Sequence, residues 1–108
     1  MTELEKMSAG KIYDPSDKEL AELRTKAHRL SMEYNALPET DDKRGELLKE
    51  LGIKGGSYYL QGPVQFDYGF LTTIGKNSYA NFNFICVDCC PVVIGDNVFM
   101  GPNVSLLT

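Results

Sequence analysis

The sequence predicts a mainly β protein, a left-handed parallel β-helix with an α-helical cap at its N-terminal end. Two observations support this fold class. A six-residue period runs through residues 74–108, and repeats of this length are typical of parallel β-helices. Composition also divides the chain: residues 1–54 hold 10 of the 11 Lys and Arg, whereas residues 55–108 hold 7 of the 10 Gly. We therefore predict a helical cap over 1–54 and β-helix coils over 55–108, as two parts of one unit.

Each six-residue unit opens with an aliphatic or small residue that we expect to point inward and stack on its equivalent one coil away. These residues are Ile74, Ala80, Ile94, Met100 and Leu106. The fourth position is Asn in four units, and the second is often Gly. Both residue types tolerate a positive φ, so we expect them where the backbone turns. Ordinary short strands joined by Gly and Asn turns are the alternative.

The first 54 residues are predicted to form helices. Ser16 and Glu19 match a capping box ahead of a helix that ends before Pro38. Its apolar face comprises residues spaced three and four apart, namely Leu20, Leu23, Ala27, Leu30 and Tyr34. A short amphipathic helix is predicted within residues 2–10.

A further short helix begins at Thr40 or Asp41 and ends at Gly52. The segment 58–70 is predicted to form the first, irregular coil. We expect the helices to cover the open end of this coil, because an uncovered coil exposes unpaired backbone groups.

Composition argues against several functional classes. The net charge is −4 and no basic cluster is present, so we predict no nucleic-acid partner. No apolar run approaches the roughly 20 residues that span a bilayer, and the N-terminus lacks the apolar segment of a signal peptide. Together with an odd number of cysteines, this predicts free thiols and a cytoplasmic location.

The cysteines Cys86, Cys89 and Cys90 are close enough in sequence to raise the question of a zinc site. A fourth ligand would have to be His28, which is distant in sequence, so we predict no metal site. Inward-facing packing is the alternative role for such small apolar side chains.

Five segments carry a resemblance to a known family: Lys6–Tyr13, Asp67–Gly69, Tyr79–Asn83, Ile94–Asn97 and Gly101–Val104. Together they resemble the maltose and galactoside O-acetyltransferases, which are hexapeptide-repeat acyltransferases. The resemblance covers nearly the whole chain. The Tyr-Ala-Asn-Phe-Asn segment and the helical front are specific to this sugar-acetylating branch.

The resemblance implies direct transfer of an acetyl group from acetyl-CoA to a sugar hydroxyl, with a His as general base. It also implies a homotrimer with active sites between neighbouring subunits. The family's catalytic His lies in a Thr-x-His-Pro motif just after the segment matching Gly101–Thr108. We therefore expect only the first coils here, no catalytic residue, and no activity from this chain alone. A catalytically inactive truncated module for trimerisation or binding is the alternative function.

The resemblance assigns four residues to substrate binding: Asn81, Asp67, Asp88 and Asp17. An Asn can both donate to and accept from a sugar hydroxyl, and a carboxylate can accept two hydroxyl hydrogen bonds. The alternatives are a turn residue for Asn81, solvated loop acids for Asp67 and Asp88, and helix N-terminal support by Asp17.

Asp14 competes with Asp17 for its assignment, whereas Asn83 is predicted to be structural. His28 is predicted to lie on the surface or to pack against the core. The galactoside branch has an acid where this sequence has Cys89, which favours maltose or glucose as acceptor.

Overall fold

The computed structural model describes all 108 residues, with three helices followed by nine short strands. The helices are α1 (Glu3–Ser8), α2 (Lys18–Ala36) and α3 (Lys43–Leu51). The strands are β1 (Lys54–Gly55), β2 (Tyr59–Leu60), β3 (Val64–Phe66), β4 (Thr72–Ile74), β5 (Tyr79–Ala80), β6 (Phe84–Val87), β7 (Val92–Ile94), β8 (Phe99–Met100) and β9 (Ser105–Leu107). None of the helices is both long enough and apolar enough to cross a lipid bilayer.

The strands form three parallel sheets of three strands each, ordered β1-β4-β7, β2-β5-β8 and β3-β6-β9. Consecutive strands along the chain therefore belong to different sheets, and every third strand returns to the same sheet. Thr72 pairs with Val92, which is 20 residues later in the sequence. The parallel β-helix prediction is confirmed, and one coil takes two residues more than three six-residue units. The first coil begins at β1, a few residues earlier than predicted.

The interior of the coils is built from the residues that open each six-residue unit. Ile74, Ala80 and Ile94 are buried in the main core, and Met100 and Leu106 pack against it from partly buried positions. Ile74 pairs with Ile94 and Ala80 pairs with Met100 in the strand register. The predicted inward orientation of all five residues is confirmed.

Asn residues form the turns at the predicted positions. Asn77, Asn83, Asn97 and Asn103 have φ of 58°, 60°, 58° and 62°. Their side chains also connect successive coils: Asn77 Nδ2 donates to Asn97 Oδ1 at 2.8 Å, and Asn83 Nδ2 donates to Asn103 Oδ1 at 3.0 Å. The turn Asn residues thus both adopt the left-handed backbone and stabilise the stacking of coils.

The expected reason for the repeat glycines is wrong, because Gly75, Gly95 and Gly101 do not have a positive φ. Gly75 instead allows a close approach between coils. A Cβ there would lie 2.3 Å from Asp96 Oδ1 and 2.5 Å from the Gly95 carbonyl oxygen. Gly75 is therefore needed because there is no room for a side chain, and not because of its backbone angle.

Helix α2 covers the free edge of β3, the third strand of the first coil. Asn35 mimics a neighbouring strand, because its Nδ2 donates to the Val64 carbonyl at 2.8 Å and its Oδ1 accepts from Val64 N at 2.7 Å. Ser31 Oγ accepts from Phe66 N at 3.3 Å. The expectation that helices cover the first coil is confirmed for α2, whose side chains replace the missing strand.

The helix caps differ in part from the prediction. Asp17, not Ser16, is the N-cap of α2, since its carboxylate accepts from Leu20 N at 3.3 Å while Ser16 Oγ donates to Asp14 at 2.7 Å. The N-cap of α3 is Asp42 rather than Thr40 or Asp41, and its side chain makes no capping bond.

The ends of the other helices agree with the prediction. Gly52 ends α3 with φ of 85°, as expected. The short N-terminal helix is confirmed as α1, whose capping box joins Thr2 and Glu5.

Candidate functional site

An aromatic groove runs along the outer face of the β2-β5-β8 sheet, with a volume of about 660 Å³. Tyr59, Tyr79 and Phe99 occupy the same register position in the three strands. The two tyrosine rings are stacked, with centroids 5.9 Å apart and planes 13° apart. The Phe99 side chain is 72% exposed. These rings form a continuous apolar wall open to a ligand.

Asn81 lines this groove directly after β5. Its backbone N–H donates to the Met100 carbonyl at 3.0 Å, and its Oδ1 accepts from Phe82 N at 2.8 Å. The side-chain oxygen therefore fixes the local turn, whereas the amide N–H groups are available to a ligand. Asn83 differs, because its side chain is engaged in the ladder between coils.

Asp67 follows β3 and forms a pair with His28 of α2, a contact that was not predicted from the sequence. Asp67 Oδ1 lies 3.1 Å from His28 Nε2, and the side chains are 24% and 42% exposed respectively. Next to them Arg24 donates to the Tyr68 hydroxyl at 2.8 Å and to the Pro15 carbonyl at 2.7 Å. The Asp67–His28 pair leaves the second carboxylate oxygen of Asp67 able to accept from a hydroxyl.

Asn81 and Asp67 lie at different corners of the coil. Asn81 is in the turn from β5 to β6, which joins the β2-β5-β8 sheet to the β3-β6-β9 sheet. Asp67 is in the segment from β3 to β4, which joins the β3-β6-β9 sheet to the β1-β4-β7 sheet. The structure therefore does not bring these two predicted site residues together within one chain.

Comparison with known proteins shows which family this chain resembles. The maltose acetyltransferase hexapeptide capping motif matches residues 6–51. Galactoside O-acetyltransferase of Escherichia coli is 40% identical over 104 residues, covering 94% of this chain and 51% of that protein. The crystal structure of a maltose O-acetyltransferase from Clostridium difficile superposes with a TM-score of 0.93 at 35% identity, covering 100% of this chain and 59% of that chain. Over nearly its whole length, this chain is similar to members of the maltose and galactoside O-acetyltransferase family.

A further relative shows what one such fold binds. A hexapeptide-repeat acetyltransferase from Vibrio cholerae, solved with acetyl coenzyme A, has a TM-score of 0.84 and 36% identity to this chain. It is matched over 95% of this chain and 56% of its own length. The chain thus spans about half the length of the family members it matches.

Asp88, a predicted binding residue, is fully buried under the segment that carries Asp67. Its two oxygens accept from Tyr68 N at 2.9 Å, Gly69 N at 2.8 Å and Thr72 Oγ1 at 2.9 Å. Burial raises the pKa of Asp88 above its ordinary value, although these donors act in the opposite direction. The carboxylate accepts three hydrogen bonds within the chain, which gives it a structural role, and its assignment to sugar binding stays a prediction.

Asp17 is partly exposed at the start of α2, where it acts as the helix N-cap. Asp14, the competing candidate, is exposed and accepts hydrogen bonds from both the backbone and the side chain of Ser16, which hold the pKa of Asp14 below its ordinary value. The turn that holds both acids is tied to Arg24 through Pro15. This turn therefore lies on the Asp67 side of the molecule, away from the aromatic groove.

The three cysteines are free thiols with separate partners. Burial raises the pKa of the Cys86 thiol to about 11, and this thiol lies 3.4 Å from Thr72 Oγ1. A hydrogen bond with Cys89 raises the pKa of Tyr13 to about 12. Cys90 Sγ donates to the Met7 carbonyl at 3.1 Å. The structure contains no group of three or more His, Cys, Asp or Glu side chains placed to hold a metal ion.

Proposed function

We propose that this chain provides the acceptor-binding side of an acetyl-CoA-dependent O-acetyltransferase whose acceptor is a sugar hydroxyl, with maltose or glucose favoured. The observation that carries the proposal is the groove that combines an aromatic wall with the amide of Asn81. The apolar C–H face of a sugar can pack on Tyr79 and Phe99, while the Asn81 amide donates to a hydroxyl. Similarity to the family supplies the reaction type.

The distribution of charge along the sequence supports the proposal that these coils bind the acceptor sugar. The phosphates of acetyl-CoA call for cationic side chains, but residues 55–108 contain a single one, Lys76. The described coils therefore fit a neutral sugar better than the phosphate-rich end of the donor substrate.

Proton removal is assigned to a histidine by the family resemblance. A hydroxyl has a high pKa, so its attack on a thioester is accelerated by a general base that titrates near neutral pH. We propose that this base is the His of a Thr-x-His-Pro segment following Gly101–Thr108. His28, the single His of the sequence, is held by Asp67 at another corner from Asn81.

We propose a trimer of left-handed β-helices as the active assembly. Asn81 and Asp67 occupy different corners of one chain. Side-by-side packing of three copies places one corner of each copy against another corner of its neighbour, which lets both residues serve one site. The cytoplasm is the proposed compartment, because three free thiols suit a reducing environment.

The test is a CoA-release assay on the full-length protein with maltose, glucose and isopropyl-thiogalactoside as acceptors. We expect Asn81→Ala to lower kcat/KM for the sugar by about 10- to 100-fold, since one oriented hydrogen bond is lost. The KM for acetyl-CoA should change little. Gln65→Ala is the matched control, because it removes an amide from the outer face of β3. Unchanged sugar kinetics in Asn81→Ala would make Asn81 a turn residue only, and absence of transfer in the parent protein would overturn the proposed function.

A further inference from the structure

Arg44 is a buried cation without an acidic partner. Its side chain belongs to a residue that is only 6% exposed, and it takes part in none of the four ion pairs of the chain. An isolated buried charge is unfavourable unless hydrogen bonds compensate for the lost hydration. The protein therefore devotes several polar groups to this one guanidinium.

Those groups come together at the corner where the aromatic groove begins, and two of them are backbone carbonyls of that corner. Arg44 Nη2 lies 2.6 Å from the Leu60 carbonyl oxygen, 2.8 Å from the Gln61 carbonyl oxygen and 2.6 Å from the Tyr34 hydroxyl, so these three acceptors share its two N–H groups. The Tyr34 hydroxyl itself donates to the Leu60 carbonyl. Leu60 and Gln61 directly follow Tyr59, so the guanidinium fixes the backbone at the end of β2.

The guanidinium also contacts the aromatic rings. Its carbon lies 4.2 Å from the centroid of the Tyr34 ring and 5.9 Å from that of Tyr59. By contrast, the Tyr59 hydroxyl has only long contacts, 3.4 Å to Glu39 and 3.3 Å to Gln61. The Tyr59 ring is thus held mainly by the Arg44 cation and by stacking on Tyr79.

We propose that Arg44 is a positioning residue for the acceptor groove, holding Tyr59 in line with Tyr79 and Phe99 so that the aromatic wall is continuous. This role rests on the proposed function. A planar guanidinium fits this positioning role, because the group can donate hydrogen bonds to carbonyls in its own plane and present its flat face to an aromatic ring. An ammonium group has no such flat face.

The experiment compares Arg44→Met, Arg44→Lys and the control Lys43→Met in the full-length protein. Lys43 is the exposed cation that precedes Arg44 at the start of α3. At a temperature where all variants are folded, we expect Arg44→Met to raise the KM for the sugar by roughly 2- to 30-fold, the range of a lost cation–π contact. The KM for acetyl-CoA should stay within about 2-fold. Arg44→Lys should recover only part of the loss, and Lys43→Met should match the parent.

A second measurement separates this inference from the proposed function. In NMR spectra, the signals of the Tyr59 ring are assigned by their loss in Tyr59→Phe. These signals should shift in Arg44→Met and not in Lys43→Met, whether or not the protein acetylates sugars. Unchanged Tyr59 resonances would overturn the positioning role even in an active enzyme. Loss of thermal stability with unchanged resonances and unchanged sugar KM would likewise assign Arg44 to folding alone.

Discussion

Substitution of Gly75 by Ala tests how the coils stack. The added Cβ would lie 2.3 Å from Asp96 Oδ1 and 2.5 Å from the Gly95 carbonyl carbon and oxygen. The Gly95 atoms are backbone of the adjacent coil, so they cannot rotate away. Asp96 can rotate, but it then loses the bond that its Oδ1 accepts from Lys76 N at 2.8 Å. Overpacking costs about 1–3 kcal/mol and the lost hydrogen bond about 1 kcal/mol, so we expect a destabilisation of about 2–4 kcal/mol.

The measurement is urea unfolding followed by circular dichroism, with the free energy of unfolding obtained by linear extrapolation. Gly45→Ala is the control, because Gly45 lies in α3 without a positive φ, and a Cβ added there would have no atom within 4 Å. It should stabilise the protein by up to about 1 kcal/mol through helix propensity. If Gly75→Ala unfolds within about 0.5 kcal/mol of the parent, at an unchanged denaturant slope, the close-approach argument is wrong.

Two further predictions follow from buried groups. Asp88→Asn should destabilise the protein by about 1–3 kcal/mol in the same unfolding assay, even though the substitution removes a buried charge. The reason is that an amide NH₂ group would face the backbone N–H of Gly69 or Tyr68, and two donors cannot form a hydrogen bond. Equal or greater stability of Asp88→Asn would contradict this. The free energy of unfolding should also fall as pH rises from about 8.5 towards 11. The pKa of Cys86 is about 11 in the folded state, whereas a Cys in the unfolded chain has a pKa of about 8.5. Between these two values the unfolded chain loses the proton and the folded protein keeps it, so unfolding becomes more favourable. The contribution is about 1.4 kcal/mol per pH unit, and Cys86→Ala should flatten the slope; an identical slope would show that Cys86 does not cause it.

The fold was predictable because its determinants are local and periodic. A six-residue period identified Ile74 and Ile94 as inward residues, and Asn77 as a turn residue, without knowledge of any contact. The cap of α2 was misplaced by one residue, from Ser16 to Asp17, because either side chain can accept a bond from the first turn. The 20-residue length of a coil was not predicted, because the two extra residues lie in an irregular stretch, around Asp67 in the first coil and around Asp88 in the second.

The contacts of the candidate site residues were harder to predict, because their partners are remote in sequence. His28 and Asp67 are 39 residues apart, and no pattern in the sequence links them. The burial of Arg44 could have been predicted from its spacing in the sequence. Arg44 precedes Leu47 by three residues, Leu48 by four and Leu51 by seven, which places it on the buried face of α3. A cation in that apolar spacing indicates a residue with a specific set of acceptors.

The position of Asp88 shows how a buried residue can support the backbone of a proposed binding corner. Its carboxylate holds Tyr68 N, Gly69 N and the Thr72 hydroxyl, and these residues form the segment that carries Asp67. Arg44 has the corresponding role at the other corner, where it holds the segment after Tyr59. Each of these two corners therefore pairs one partly exposed polar residue, Asp67 or Asn81, with one buried charge that fixes the nearby backbone. Since a β-helix corner has no helix or long strand to make it rigid, buried charges with several hydrogen bonds supply the rigidity that ligand binding requires.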